Sequence, residues 1–214
     1  MSDASKSFAP SLSRDEVRDY DRIAIERGIP GPVLMENAAG GASRLLLNLG
    51  AHGPVAIVCG KGNNAGDGFV MARLLHGHGL RVAVEMVGEP SELAGDAATA
   101  FAPLKSLGIP IFRMNGQTLS RLRQCQWIVD ALLGTGTRGE IRSPFREAIE
   151  WIHEANRSVF AVDLPSGLDG DLGVPLGPTI QARHTATFVA RKKGFDNPAS
   201  QPYTGLVHVI PIGA

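Results

Sequence analysis

The sequence has 214 residues, of which 43% are hydrophobic and 20% charged, and 21 Lys and Arg balance 21 Asp and Glu. A chain of this length forms one or at most two domains. We interpret residues 1–214 as one domain, because neither a linker nor an internal repeat divides them. Zero net charge argues against nucleic acid or a membrane surface as the partner, since both require a basic excess.

The cysteines and the first residues indicate the compartment. Cys59 and Cys125 have no short spacing, which fits a reducing environment rather than a disulfide framework. Residues 1–6 lack the apolar core of a signal peptide, and the sequence contains no apolar stretch of about 18 residues. The sequence therefore predicts a soluble, cytoplasmic protein.

Two helices are predicted before the first strand. The first begins at Ser13, which forms a capping box with Glu16, and it ends at Gly28. The predicted apolar stripe of this helix consists of Val17, Tyr20, Ile23 and Ala24. The second helix is predicted over residues 33–49 and ends at Gly50.

From residue 54, short apolar runs alternate with helical segments. Strands are predicted over residues 55–59, 82–87, 110–112, 127–133 and 159–162, and two more over 184–190 and 205–210. Helices are predicted over residues 67–78, 92–107 and 144–155. Continuous apolar strands separated by helices are typical of a parallel sheet covered on both faces. The predicted fold class is α/β, a mostly parallel sheet with an N-terminal helical extension.

Three of the predicted strands end in polar loops that contain glycine. Residues 60–68 read GKGNNAGDG, residues 134–140 read GTGTRGE soon after Asp130, and residues 163–167 read DLPSG. The carboxyl ends of parallel strands lie at one edge of a sheet, where ligands bind, so the three loops predict one composite site. A glycine loop before a helix suits a phosphorylated ligand, although residues 60–68 match neither the P-loop nor the dinucleotide spacing.

The segments GNNAGDG, VDALLGTG and VDLPSGLDGDLG, in this order, resemble the NAD(P)H-hydrate epimerase family, the YjeF N-terminal domain. The segment MENA at residues 35–38 fits the same family, and the resemblance extends from about residue 13 to the end. It implies a three-layer αβα Rossmann-like fold and a homodimer. It also implies interconversion of the S and R forms of hydrated NADH and NADPH (NAD(P)HX), so that a separate NAD(P)H-hydrate dehydratase restores the cofactor.

The resemblance also implies which residues form the site. The ligands of a bound K⁺ ion fall on Asn64, Asp130 and Ser166. Substrate contacts fall on Asn63, Asn64, Ala65, Gly66, Asp67, Gly134, Thr135, Gly136, Thr137, Arg138, Gly139, Glu140 and Asp163. Ala65 stands where the family usually has glycine, and it costs about 1 kcal/mol if that position needs a positive φ.

The chemistry of these residues fits the implied roles. Amide, carboxylate and hydroxyl oxygens suit a hard cation of low charge, and Arg138 suits a phosphate group. Epimerisation at a carbon that bears a hydroxyl and a ring nitrogen needs proton transfer. Asp163, directly after an apolar strand, is the predicted acid–base catalyst. For Asp67 two interpretations stay open, a helix cap or a functional carboxylate.

Two other functions are alternatives to an epimerase, and one basic run has two interpretations. An NAD(P)-dependent oxidoreductase is disfavoured because residues 60–68 lack the dinucleotide spacing and no acidic residue suited to the ribose follows residues 82–87. A non-catalytic binding module stays the alternative, although Asn64, Asp130, Asp163 and Ser166 together favour an enzyme. The run at residues 191–193, Arg-Lys-Lys, is interpreted as a solvated turn rather than a phosphate contact.

Overall fold

The structure of the protein is a computed structural model that describes residues 10–213. The prediction that residues 1–6 contain no signal peptide lies outside the described residues. Within residues 10–213, none of the helices combines the length and the apolarity that crossing a membrane requires.

Helices and strands alternate along most of the described chain. The helices are α1 (Arg14–Glu26), α2 (Gly31–Asn48), α3 (Asn63–Gly77), α4 (Gly95–Ser106), α5 (Thr118–Leu122), α6 (Phe145–Ala155) and α7 (Gln201–Thr204). The strands are β1 (Val55–Cys59), β2 (Val82–Met86), β3 (Ile111–Arg113), β4 (Trp127–Ala131), β5 (Ser158–Val162), β6 (His184–Phe188) and β7 (Leu206–Ile210).

All seven strands form one parallel sheet in the order β3-β2-β1-β4-β5-β6-β7. The chain builds outward from β1 to β3 and then returns to the other side of β1 with β4. The direction of winding therefore reverses between β1 and β4, and this reversal opens a crevice at the carboxyl edge of the sheet.

Alternate residues of the strands belong to two hydrophobic clusters, one on each face of the sheet. On one face, Ile57 and Val129 pack with apolar residues of α2, α3 and α4. On the other face, Val58 and Ile128 pack with residues of α5 and α6. The predicted three-layer αβα fold is therefore confirmed, and every predicted strand is present.

The structure confirms one local prediction at α1, corrects another there and adds a short helix. The capping box is confirmed, because the Glu16 N–H donates to the Ser13 hydroxyl and the Ser13 N–H donates to the Glu16 carboxylate. The predicted apolar stripe of α1 is half wrong, because Tyr20 and Ile23 are exposed. Helix α5 was not predicted; it is only five residues long.

Close packing brings the start of α3 onto the carboxyl ends of β1 and β4. A Cβ atom added to Gly68 would lie 2.7 Å from the Ala131 Cβ and 2.9 Å from the Cys59 Sγ. A side chain at this position would push the helix away from the sheet. Gly68 therefore fixes the distance between the beginning of α3 and the edge of the sheet.

Candidate functional site

A cavity of about 610 Å³ lies at the carboxyl edge of the sheet, beside the reversal between β1 and β4. Residues that follow β1, β4, β5 and β6 line it, among them Asn64, Gly134, Asp163 and Val189. The loops after these strands converge as the sequence predicts, and the volume is within the range of small-molecule sites.

Helix α1 forms one wall of this cavity through Val17, Arg18, Asp21 and Ile25. Arg14 fastens the helix to the rest of the fold. Its Nε donates to the Asp171 Oδ2 at 2.7 Å, and a terminal nitrogen donates to the Thr137 carbonyl at 2.9 Å. The N-terminal helical extension therefore contributes to the site.

The predicted loop at residues 60–68 is mostly helix. Only residues 60–62 separate β1 from α3, which begins at Asn63. The Gly66 N–H donates to the Gly62 carbonyl at 3.2 Å, so the N–H groups of residues 63–65 lie in the first turn, ahead of the helix's own hydrogen bonds. Such groups suit an anion. Ala65 has a helical backbone and is buried, so the feared cost of a positive φ does not arise.

Residues of the first turns of α3 face different surroundings. Asn63, Asn64 and Asp67 line the cavity. Ala65 is buried in the core between the helices and the sheet. Gly66 faces Met35, whose Cε would lie 2.5 Å from an added Cβ. The structure therefore brings three of the five predicted residues of this segment to the cavity.

The Asn64 side chain is buried beside Gly134, where an added Cβ would lie 3.2 Å from the Asn64 Cβ. Among residues 10–213, no group forms a hydrogen bond with either the Asn64 Oδ1 or its Nδ2. A buried amide without partners is unfavourable by about 1–3 kcal/mol. The observation therefore points to a ligand that meets this side chain.

Asp130 and Ser166 are in direct contact, as the three converging loops predict. The Ser166 hydroxyl donates to the Asp130 Oδ1 at 2.6 Å, and the Ser166 N–H donates to the Oδ2 at 2.8 Å. Burial raises the pKa of Asp130 to about 6, against the hydrogen bonds from Ser166 and Leu132, which lower it. The carboxylate thus has neutral donors within reach and a fold that disfavours its charge.

The oxygen donors of Asn64 and Asp130 fit a cation of low charge. The Asn64 Oδ1 is buried without a partner, and the Asp130 carboxylate is paired by neutral groups. Oxygen donors of this kind suit a hard cation. Within residues 10–213, His, Cys, Asp and Glu form no group of three or more that could hold a metal.

Asp163 follows β5, lines the cavity and is paired with a buried lysine. The Lys192 Nζ lies 2.8 Å from the Asp163 Oδ1 and donates to the Phe188 carbonyl at 3.0 Å. The Lys192 side chain is 0% exposed, and that of Asp163 is 14% exposed. The interpretation of residues 191–193 as a solvated turn is therefore wrong at Lys192.

Backbone strain surrounds this ion pair. Asp163 has φ 65° and Val189 has φ 67°, a left-handed region that is rare for residues other than glycine and most unusual for valine. In each case the next N–H donates to the carbonyl before the strained residue, Leu164 to Val162 and Ala190 to Phe188, both at 2.8 Å. These are γ-turns at the ends of β5 and β6, and such strain is common at functional sites.

Two further carboxyl groups face the same part of the cavity. Burial, followed by Asp163 and Asp21, raises the pKa of Asp67 well above its ordinary value, while Lys192 opposes the shift. Burial and then Asp163 raise the pKa of Asp21. Asp67 is the fifth residue of α3, so its interpretation as a helix cap is wrong.

The loop after β4 is divided between the cavity and solvent. Residues 134–137 line the cavity, whereas Arg138, Gly139 and Glu140 are exposed outside it. Arg18 and Lys61 are the basic residues that line the cavity. Arg18, Asp21 and Lys192 are not among the site residues that the sequence predicts. For the first two a signal existed, because Arg14, Arg18, Asp21 and Ile25 are spaced along one face of α1.

Comparison with known proteins gives one family. The sequence model of the YjeF-related protein N-terminus matches residues 31–194. The chain is 39% identical to the NAD(P)H-hydrate epimerase of Rhodopirellula baltica, covering 95% of this chain and 84% of that protein. It is also 39% identical to the NAD(P)H-hydrate epimerase of Pirellula staleyi, covering 94% of this chain and 91% of that protein.

Longer relatives and a solved structure agree with this grouping. The chain is 37% identical to the bifunctional NAD(P)H-hydrate repair enzyme Nnr of Coxiella burnetii over 92% of its own length, but it spans only 40% of that protein. A crystal structure of yeast ynu0 superposes with a TM-score of 0.82 at 22% identity, covering 94% of this chain and 87% of that one. The yeast structure supports the fold alone.

Proposed function

We propose, from the premise that this chain belongs to the YjeF-related protein N-terminus family, that it epimerises the S and R forms of hydrated NADH and NADPH. The observation that carries the proposal is the cavity at the sheet reversal, where Asp163 and Asp67 face one space. The activity is that of an isomerase that repairs a damaged nicotinamide cofactor.

Two of the carboxyl groups that line the cavity supply an acid and a base. Opening the ring removes the proton of the hydroxyl, breaks the bond between carbon and nitrogen, and protonates the nitrogen. Loss and return of water also need one group that gives a proton and one that takes it. Asp163, paired with Lys192, is the base. Asp67, whose pKa is raised by burial, is the acid, since environments that separate two carboxyl groups also separate their roles.

A K⁺ ion held by Asn64, Asp130 and Ser166 is part of the proposal. The buried Asn64 Oδ1 without a partner and the Asp130 carboxylate without a cationic partner support it. When bound, the ion would supply positive charge between these ligands. Asn64, Asp130 and Ser166 would provide its oxygen donors, and the hydroxyl and N–H of Ser166 hold the Asp130 carboxylate in place.

The phosphate groups of the substrate meet the start of α3 in this proposal. The first-turn N–H groups of residues 63–65 and the neighbouring Lys61 and Arg18 provide hydrogen bonds and charge. Residues 134–137 form the opposite side of the cavity. Among the predicted substrate contacts, we expect Arg138, Gly139 and Glu140 to act only if the exposed loop moves toward the ligand.

The partner and the assembly are also proposals. Relatives about twice as long are bifunctional NAD(P)H-hydrate repair enzymes, which supports a second activity, a dehydratase, that uses the product of this chain. A homodimer follows from the family resemblance alone, and a cytoplasmic location from two cysteines without a short spacing. Sedimentation of the purified chain tests the dimer.

The test of the function is a coupled assay. Pure R-hydrate of NADH is incubated with this protein and a dehydratase that accepts only the S form, and absorbance of reduced nicotinamide is recorded. We expect absorbance to return only when both proteins are present. A protein that binds the hydrate without restoring absorbance would instead be a binding module, the alternative function.

A further inference from the structure

The buried Lys192 has no role in the chemistry described so far. Its side chain is completely buried and does not line the cavity, so it does not touch a substrate there. An isolated buried ammonium group is very unfavourable. Lys192 nevertheless lies in the interior, beside the Asp163 carboxylate that the proposed function uses as base.

Resting on the proposed function, we propose that Lys192 is a positioning residue. Its ammonium group holds the Asp163 carboxylate at the cavity by linking it to the Phe188 carbonyl, across the ends of β5 and β6. The two contacts, 2.8 Å and 3.0 Å, join the two strained γ-turns through one side chain. Lys192 thereby fixes the direction of the proposed base and places a positive charge beside it.

The backbone around Lys192 holds it in place for this task. The Leu12 N–H donates to the Arg191 carbonyl, and the Lys193 N–H donates to the Leu12 carbonyl, both at 2.8 Å. Lys192 is thus clamped between the segment before α1 and the end of β6. Because the backbone is fixed in this way, little further conformational entropy is lost when the long side chain reaches the end of β5.

The charges that face this group explain why a cation is needed there. Burial raises the pKa of both Asp21 and Asp67, and Lys192 opposes each of these shifts. Like charges at close range disfavour the ionised forms of neighbouring carboxyl groups. Of the three aspartates, Asp163 is the one in contact with the Lys192 ammonium group, at 2.8 Å.

The experiment compares four forms of the full chain in the coupled assay: wild type, Lys192→Met, Asp163→Asn and the double variant. We expect Lys192→Met to lower kcat by about 100- to 10,000-fold, as Asp163→Asn does, with a much smaller change in KM. The double variant should be no slower than Asp163→Asn, because residues that act as a unit are not additive. A Lys192→Met enzyme with nearly normal kcat would overturn the proposal.

The matched control is Lys193→Met, the same substitution at an exposed neighbour, which should leave kcat unchanged. If Lys192→Met fails to fold because Asp163 keeps a buried charge, the double variant still decides the question. Equal kcat values for the double variant and Asp163→Asn support positioning, and a further loss contradicts it. An inactive wild-type protein would defeat the proposed function itself, which separates the two failures.

Discussion

Two aspartates lie at the carboxyl ends of neighbouring strands, and their carboxylates have different partners. Asp130 at the end of β4 is surrounded by neutral donors, the hydroxyl and N–H of Ser166 and the N–H of Leu132. Asp163 after β5 is paired with the ammonium group of Lys192. The first carboxylate lacks a cation among its hydrogen-bond partners, and the second has one that cannot leave.

This difference assigns cation binding to Asp130 and proton transfer to Asp163. A carboxylate whose hydrogen-bond partners are all neutral can bind an external cation, and its ionised form is unfavourable until that cation binds. A carboxylate paired with a fixed lysine needs no external ion to balance its charge, and Asp163 lies at the cavity where a substrate would meet it. We therefore expect substitutions of Asp130 and of Asp163 to have different effects on K⁺ binding and on turnover.

The largest expected effect comes from Asp163→Asn. We expect the epimerisation rate to fall by about 100- to 10,000-fold, because the amide keeps the shape but cannot accept the proton. Turnover is measured in the coupled assay over a series of K⁺ concentrations. If added K⁺ restored the rate, the separation between the two aspartates would be wrong.

The second effect concerns Asp130 and pH. Its pKa of about 6 lies above the ordinary value of 3.8, so the stability linked to its protonated form is present at low pH and is lost as pH rises through about 6. That loss is on the order of 3 kcal/mol. We expect K⁺ to raise the melting temperature much more at pH 8 than at pH 5.

The control for this measurement is choline chloride at the same ionic strength, which should raise the melting temperature equally little at both pH values. Asp130→Asn should remove the pH dependence of the K⁺ effect. A K⁺ response of the same size at pH 5 and pH 8 would contradict the assignment of the ion to Asp130.

A smaller effect of opposite sign is expected for Asn64→Leu. Without K⁺ the buried amide has no hydrogen-bond partner among the described residues, so an apolar side chain of similar size should raise the free energy of unfolding by about 1 kcal/mol. The same change should abolish stabilisation by K⁺. Urea unfolding with and without K⁺ measures both, and a destabilised variant in K⁺-free buffer would count against the ion site.

The smallest effect is expected for Ala65→Gly, which introduces the glycine usual in the family. Because Ala65 lies in the helical first turn and does not line the cavity, this change should cost about 0.5–1 kcal/mol of stability and leave the K⁺ response and turnover intact. Chemical unfolding and the coupled assay check both. A large change in either property would mean that the side chain at this position contributes to the ligand site.

The sheet could be predicted from the sequence because its strands are continuous apolar runs. The apolar run at residues 55–59 is strand β1. Strands that are buried on both faces give continuous apolar runs of this kind. The start of α3 was harder. Gly62, Gly66 and Gly68 suggest a loop, but Gly68 serves close packing against β1 and β4, a reason that depends on neighbours far away in the chain.

The site could be predicted only in part for a related reason. Asp130 and Ser166 follow strands, so the parallel topology alone brings them to one edge. Lys192 and Asp21 enter the site through side-chain reach and the docking of α1, and neither follows from the local pattern. A lysine within a basic run looks solvated until the tertiary structure buries it, as it does Lys192.

Helix α1 bears on which part of the chain is needed for folding and which part is needed for binding. Among the described residues of α1, Ala24 alone joins the apolar cluster between the sheet and α2–α4, while four residues of the helix line the cavity. A chain that lacks the residues before Gly31 would keep the sheet and both helical layers, but it would lose one wall of the cavity. The shortest piece able to fold is therefore shorter than the shortest piece able to bind.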